Sequence, residues 1–387
     1  MKLPIDLMAV IEAATDIESA RSTPVSVSVL IDDSAPGDVA AHVRSAFVGA
    51  GAHARVTVGY FAGPAFSPYE GDDMAVIVAG FSEEVGRRAA EIRAAGVPVM
   101  VVTSMPSLVA DMASAYGNPI PEGDLVAPEG VEGCEADGDA ACASGEVSGA
   151  HVSVFAGIRA AKSAGAGAAA GSAGAQASSP DVLDAPIPID AAAACALDCR
   201  MGEWVVAACR EKRLALALSF PFVRKPLSLE AVSATSLQNA GIGLVLFIPG
   251  ADMPLMTLNQ AKMLLQIAAA YGEPMSAARV KELAAIVAGG FACRSVARQV
   301  AGAVPAIGWA VKAGVGYAGT KAMGLAAVEY FERGGNIAGL AGVVSSATAK
   351  ATQIAGDVAA TPAGARVLST VKTAVRQGAA SVLKKTE

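Results

Sequence analysis

Asp32-Asp33-Ser34-Ala35-Pro36-Gly37-Asp38-Val39 follows the β-branched run Val25–Ile31 and precedes a helical pattern, which is where a sheet of parallel strands would grip a phosphate. A phosphate loop needs Gly-x4-Gly-Lys-Ser/Thr there. The glycines let backbone amides curl around the anion, the lysine neutralises it, and the hydroxyl holds magnesium. The length fits, and Gly37 stands where the second glycine would. The other positions do not fit: Asp32 replaces the first glycine, Asp38 the lysine and Val39 the hydroxyl. Three carboxylates facing a triphosphate would repel it, with no magnesium ligand to offset this. No cofactor and no metal are therefore expected at Asp32, Gly37, Asp38 and Val39.

Two further signatures fail in the same register. After the second strand, Tyr60-Phe61-Ala62-Gly63 occupies the place of Asp-x-x-Gly and keeps only the glycine. After the run Val97–Val102, Thr103-Ser104-Met105-Pro106 occupies the place of the guanine-reading Asn-Lys-x-Asp, without the final carboxylate that accepts from the guanine amino group. The region resembles an Era-like GTPase domain that has lost its nucleotide site, and the resemblance implies a pseudoenzyme. An unrelated doubly wound domain is the alternative.

Other catalytic chemistry finds little support. His42, His53 and His151 share no motif spacing with one another or with a cysteine, so neither a metal site nor a catalytic triad is indicated. Ser219 and Ser295 lack a Gly-x-Ser-x-Gly elbow. The cysteines 134, 142, 195, 199, 209 and 293 form no CxxC pair and read as small buried hydrophobes in a reducing cytoplasm. The opening Met1-Lys2-Leu3-Pro4-Ile5-Asp6 carries early charge and no apolar run, unlike a secretory signal.

The elements that would position these residues alternate over the first 128 positions. Strands are expected at 25–31, 55–60, 74–79 and 97–102, with a last short one at 124–127. Helices are expected at 5–20, 38–50 and 82–95. The 74–79 and 97–102 runs are apolar throughout, as in strands buried on both faces. Alternation with short connections predicts a parallel α/β sheet with right-handed crossovers. Residues 129–182 are acidic and Gly-rich, then rich in Ala, Gly and Ser, and read as a disordered insertion without a packed core. From about 190 the pattern is helical: roughly 190–219, 228–247, 255–271, 276–302, 306–333 and 337–383. Turns are expected at Pro221, Pro226, Pro249-Gly250, Gly272-Glu273-Pro274, Pro305 and Gly334-Gly335.

The helical half carries the most specific motif. Asn239-Ala240-Gly241-Ile242-Gly243 is followed by Pro249-Gly250-Ala251-Asp252-Met253-Pro254 and Thr257-Leu258-Asn259-Gln260. Then come Ile267-Ala268-Ala269-Ala270-Tyr271-Gly272, Arg294-Ser295-Val296-Ala297-Arg298 and Gly319-Thr320-Lys321-Ala322-Met323-Gly324. These stretches resemble domain-of-unknown-function family 697, over about residues 228–333. That helical module occurs behind Era-like GTPase domains and in bacterial inner-membrane proteins, and it has no established activity. Read on their own, Asn239 and Gln260 suit interhelical hydrogen bonds, and Asp252 suits a cap for a helix starting near Pro254. Arg294 and Arg298 share a face, for pairing with Asp252 or Glu282 or for an acidic ligand, lipid headgroup or partner.

Composition frames the choice of function. The 387 residues are 53% hydrophobic but only 17% charged and 5% aromatic, with 41 Gly, which excludes a disordered chain and a nucleic-acid arm. The net charge of −7 divides unevenly: residues 1–200 hold 10 Lys+Arg against 26 Asp+Glu, and the remainder 19 against 10. A basic, apolar second half suits an anionic bilayer surface or the acidic first half. The uncharged run 231–251 is long enough to cross a bilayer but contains Ser233, Thr235, Ser236, Gln238 and Asn239, which favour docking over clean spanning.

The expected organisation is α/β plus all-α: a small parallel P-loop-GTPase-like sheet without nucleotide motifs (1–128), then the insertion (129–182). A helix completes or links the first domain (183–225), followed by the helical module (226–335) and an Ala-rich basic helical tail (336–387). The expected function is a non-enzymatic, membrane-associated scaffold or regulator with its first domain in the cytoplasm. Its expected partners are anionic lipid, a protein such as a GTPase, or a second copy, and not nucleic acid. The alternatives are a soluble protein-binding regulator and an atypical nucleotide-binding protein.

Overall fold

The computed structural model describes residues 21–62, 71–128, 186–245, 252–274 and 308–336, with Ile17, Ser19, Gly339, Leu340 and Gly342 besides. The expected insertion and basic tail, the segment 276–302 with Arg294 and Arg298, and most of the helix at 5–20 lie outside the described residues.

Five short runs rich in valine and isoleucine form one parallel sheet: β1 (Val25–Ile31), β2 (Ala54–Tyr60), β3 (Met74–Val78), β4 (Val99–Val102) and β5 (Leu125–Val126). Their order is β2-β1-β3-β4-β5. Residues of β3 and β4 are buried on both faces, as their unbroken apolar runs require, whereas β2 at the edge alternates between half-buried and exposed. Between strands lie α1 (Gly37–Val48), α2 (Glu84–Ala94) and α3 (Pro106–Ala115). The helix α3 is not among those expected from the sequence pattern. Its start is nonetheless marked by Pro106 in the first turn, where a missing N–H costs nothing.

Side-chain alternation along the strands divides the core into two layers. Val25, Val27, Val29 and Ile31 of β1 face α1, together with Met74, Val76 and Val78 of β3. Leu30, Ala75, Ile77, Val99 and Val101 face α2 and α3. The chain re-enters the first layer with α4 (Ala191–Ala208), whose first turn is capped by the Asp190 carboxylate accepting from the Ala193 amide at 2.8 Å. Leu197, Met201, Trp204 and Val205 of α4 join the sheet core. Next come α5 (Arg213–Ser219) and α6 (Pro221–Val245). Phe47 of α1 makes edge contacts with Phe220 and Phe222, with ring centroids 5.0 and 5.2 Å apart.

Two expectations change here. The pattern over 190–219 reads as one helix, but a turn at Cys209–Lys212 divides it, and Lys212 reaches back to Asp73 at 2.7 Å and to the Pro24 carbonyl at 3.1 Å. These long-range bonds to the base of the sheet leave no trace in helical periodicity. The expected turn at Pro226, and with it the domain boundary at 225/226, falls inside the continuous helix α6. Proline lacks the N–H that would bond the Phe222 carbonyl one turn earlier. That side of α6 packs against Gly202 of α4, where a β-carbon would stand 2.5 Å from the Phe222 oxygen and 2.6 Å from the Pro226 ring. α4 is packed directly over the freed carbonyl, and α6 runs on through Pro226. Cys195 is disulfide-bonded rather than a free thiol, which spacing along the chain could not reveal; Cys209 is a buried free thiol.

α6, α7 (Asp252–Ala270) and α8 (Gly308–Glu332) make a second core from Val232, Met263, Leu264, Ile267, Met323, Val328 and Phe331. Asp252 is the first residue of α7, two positions before the expected start near Pro254. The turn that follows α7 passes through Gly272, whose φ of +85° suits a residue without a β-carbon. The Arg21 guanidinium donates to the Glu273 and Gly272 carbonyls there, at 2.7 and 3.1 Å. Tyr271 stacks on Phe331 with centroids 5.9 Å apart. Among the described residues, no helix is long and apolar enough to cross a membrane.

Candidate functional site

In a doubly wound sheet of order 2-1-3-4-5, ligands bind beyond the carboxyl ends of the strands where the chain reverses its winding direction, between the first and third strands. Here that crevice is bounded by Asp32–Ser34 after β1 and Ala79–Ser82 after β3. The Asp32 amide extends the ladder by donating to the Val78 carbonyl at 3.0 Å, so the two loops leave the sheet side by side.

Asp32 is 3% exposed, and its carboxylate fills the crevice. Oδ1 accepts from the Ser34 amide at 3.1 Å. Oδ2 accepts from the Ser34 hydroxyl at 2.9 Å, the Gly80 amide at 3.0 Å and the Ser82 amide at 3.3 Å. The Ser34 hydroxyl in turn accepts from the Phe81 amide at 2.7 Å. Converging backbone amides are the groups that cradle an external anion in phosphate-binding loops. In this chain the anion is covalently attached. Gly80 allows the closeness: a β-carbon there would lie 2.3 Å from the Ser34 carbonyl carbon and 2.4 Å from the Ala35 nitrogen.

The other two loop carboxylates are exposed but hydrogen-bonded as well, so the three carboxylates expected to face a triphosphate are each held by backbone amides of the chain itself. Asp33 Oδ2 accepts from the Ala62 amide at 2.7 Å. Asp38 accepts from the Val39 amide at 2.9 Å and, through Oδ2, from the Ile189 amide at 3.1 Å, tying α1 to the segment that leads into α4. Val39 is wholly buried in the sheet core, and Gly37 begins α1 with open space around it. At the end of β4, the Thr103 hydroxyl accepts from the Met105 amide at 3.1 Å. The rim is aromatic: Arg44 donates to the Tyr60 hydroxyl at 3.1 Å, Arg88 sits 4.5 Å from the Phe61 ring centre, and Phe81 is half exposed.

Asn239 and Gln260 meet at a second polar centre, inside the helical core. Asn239 Nδ2 of α6 and Gln260 Nε2 of α7 both donate to the Thr320 hydroxyl of α8, at 2.9 and 2.8 Å. Asn259 Nδ2 donates to Asn239 Oδ1 at 3.1 Å. Asn239, Gln260 and Thr320 are at most 1% exposed. Three stretches of the sequence motif, far apart in the chain, thus converge on one hydroxyl. Thr320 and Asn259 are legible in the sequence only as parts of the motif; their polar character within apolar runs is the available signal.

Other charged groups tie elements together away from the crevice. His42 of α1 lies 2.8 Å from Asp198 of α4, and that hydrogen bond and charge raise the imidazole above its ordinary value despite its burial. At the opposite end of the sheet the Ser26 and Ser28 hydroxyls both donate to Asp72, and Asp73 accepts from the Ser26 amide at 2.9 Å. Among the described residues, no group of three His, Cys, Asp or Glu is arranged to hold a metal ion.

The fold and crevice define a doubly wound parallel α/β unit with a helical unit packed against it. No family model matches the chain, and no curated protein or solved structure matches it significantly.

Proposed function

We propose that this chain is a non-enzymatic scaffold or regulator: a GTPase-like α/β unit whose phosphate loop is filled from within, joined to a helical module of the family-697 type. The observation that carries this reading is the Asp32 carboxylate on the Ser34, Gly80 and Ser82 amides, the place where a nucleotide phosphate would otherwise be bound. A buried anion already holding those donors excludes a second one by charge and by volume. Titration with magnesium–GTP and magnesium–ATP is expected to give no binding. Micromolar, magnesium-dependent affinity would overturn the reading in favour of an atypical nucleotide-binding protein.

The module's resemblance and the positive balance of residues 201–387 support work at the cytoplasmic face of a bilayer, with anionic lipid or a membrane-bound GTPase as partner. Flotation with vesicles containing phosphatidylglycerol tests this. The chain is expected to rise with them at low salt and to be released by high salt, and reversing the charges of Arg294 and Arg298 is expected to weaken the association. The soluble-regulator reading is favoured by the inward-facing Ser236 and Asn239 of α6, which make that helix a core element. A chain that never floats would establish it.

A further inference from the structure

We propose that the outer edge of β2 is a self-association interface, at which β2 of a second copy adds antiparallel to extend the sheet. Among the described residues β2 pairs only with β1 and closes the strand order on that side. The backbone groups of a strand alternate between its two edges. The Phe61 amide donates to the Ile31 carbonyl and the His53 carbonyl accepts from the Val25 amide, so the odd-numbered positions serve β1. The N–H and C=O groups of Val56, Val58 and Tyr60 therefore point away from the sheet. Ala54 shares that side, but its amide is already committed to the Gly51 carbonyl.

The strand sequence Ala54-Arg55-Val56-Thr57-Val58-Gly59-Tyr60 complements itself. An antiparallel pairing that overlaps all seven residues is centred on Thr57 opposite Thr57. It sets Val56 against Val58, the bulky Arg55 against Gly59, and the bulky Tyr60 against Ala54. The even-numbered residues, whose backbone groups face outward, then oppose one another, as hydrogen-bonded pairs must. Val58 and Tyr60, 37% and 43% exposed at this edge, become covered. The two Arg55 side chains are offset by four residues, roughly 13 Å at 3.3 Å per residue, beyond the screening length at physiological salt. The pairing forms about six main-chain hydrogen bonds, within the usual number for a protein interface, over a narrow contact that suits reversible association.

The experiment uses the full chain. Sedimentation is expected to show a concentration-dependent monomer–dimer equilibrium. Val58→Pro removes an outward amide without touching the bonds to β1 and is expected to weaken association at least about tenfold, as is Val58→Lys. Melting curves of both variants establish that they fold. Under mild oxidation Thr57→Cys is expected to give a new disulfide dimer, because the paired α-carbons would lie about 4.5 Å apart. Arg55→Cys is expected to cross-link no more than the unmodified chain. The proposal is overturned by a monomer at all concentrations, by a dimer that folded Val58 variants leave intact, or by equal cross-linking of the two cysteine variants.

Discussion

Asp32 Oδ2 accepts the Gly80 amide at 3.0 Å, joining the ends of two adjacent strands at the position where a doubly wound sheet would receive a ligand. The same oxygen accepts from Ser34 and Ser82, so one side chain closes the crevice and ties the two loops. Removing it leaves the buried Gly80 amide, and the less buried Ser34 and Ser82 amides, without this acceptor.

Asp32→Ala is therefore expected to cost about 3 kcal/mol of stability, and Asp32→Asn, which keeps one acceptor oxygen, about 1 kcal/mol. Denaturant unfolding measures both. If phosphate raises the melting temperature of Asp32→Ala but not of the unmodified chain, the cradle has accepted an external anion in place of its own. Equal response of the two chains would remove the link between Asp32 and the anion site.

Two glycines mark contacts too close for any side chain. Gly80→Ala would press a β-carbon to 2.3 Å from the Ser34 backbone, and Gly202→Ala to 2.5 Å from the Phe222 oxygen. Neither neighbour is a flexible side-chain tip, so each substitution is expected to destabilise by about 3 kcal/mol, read as a lowered midpoint in a urea titration. Gly37→Ala, with open space around it, is the control expected to change little.

Thr320→Val keeps the shape of the side chain and removes the hydroxyl that accepts from both Asn239 and Gln260. Asn239 keeps the Met256 carbonyl at 3.4 Å, so the loss of one hydrogen bond from each amide predicts a cost of about 1–3 kcal/mol. Thr320→Ser, which restores the hydroxyl, is expected to recover most of it. Equal melting temperatures for the valine and serine variants would show that packing and not hydrogen bonding sets the effect.

His42 has a raised folded-state pKa because it bonds Asp198. The imidazolium form is favoured by folding, so this stability is fully present below the unfolded value near 6.5 and is lost as pH rises through the folded value. The side chains are 22% and 39% exposed, which holds the effect to under about 1 kcal/mol. Asp198→Asn is expected to lower the melting temperature at pH 5.5 and to narrow the difference by pH 8. A difference that stays constant or widens would contradict the assignment.

Much of the α/β half can be read along the chain because its signals are local. Val25–Ile31 and Met74–Val78 declare themselves through β-branched, fully apolar composition, and each strand lies within two residues of its expected bounds. The missing lysine and hydroxyl at Asp38 and Val39 are equally local facts. What a proline does in a helix is not local. Pro226 reads as a turn, yet α6 runs on through it, with Gly202 of another helix packed over the freed carbonyl of Phe222.

The sequence by itself determined that the loop after β1 carries carboxylates where phosphate chemistry needs glycine, lysine and a hydroxyl, because residue identity alone decides charge and donor type. Where those carboxylates point was decided by the tertiary structure. The amides that Asp32 accepts at Gly80 and Ser82 lie on another strand's loop, about fifty positions away, and only the parallel pairing of β1 with β3 brings them within hydrogen-bond reach. In the same way, Asn239, Gln260 and Thr320 are legible singly as polar residues in apolar helices. Their convergence on one hydroxyl depends on the packing of three helices, because burial forces each donor to find an acceptor and the nearest one lies on a different helix.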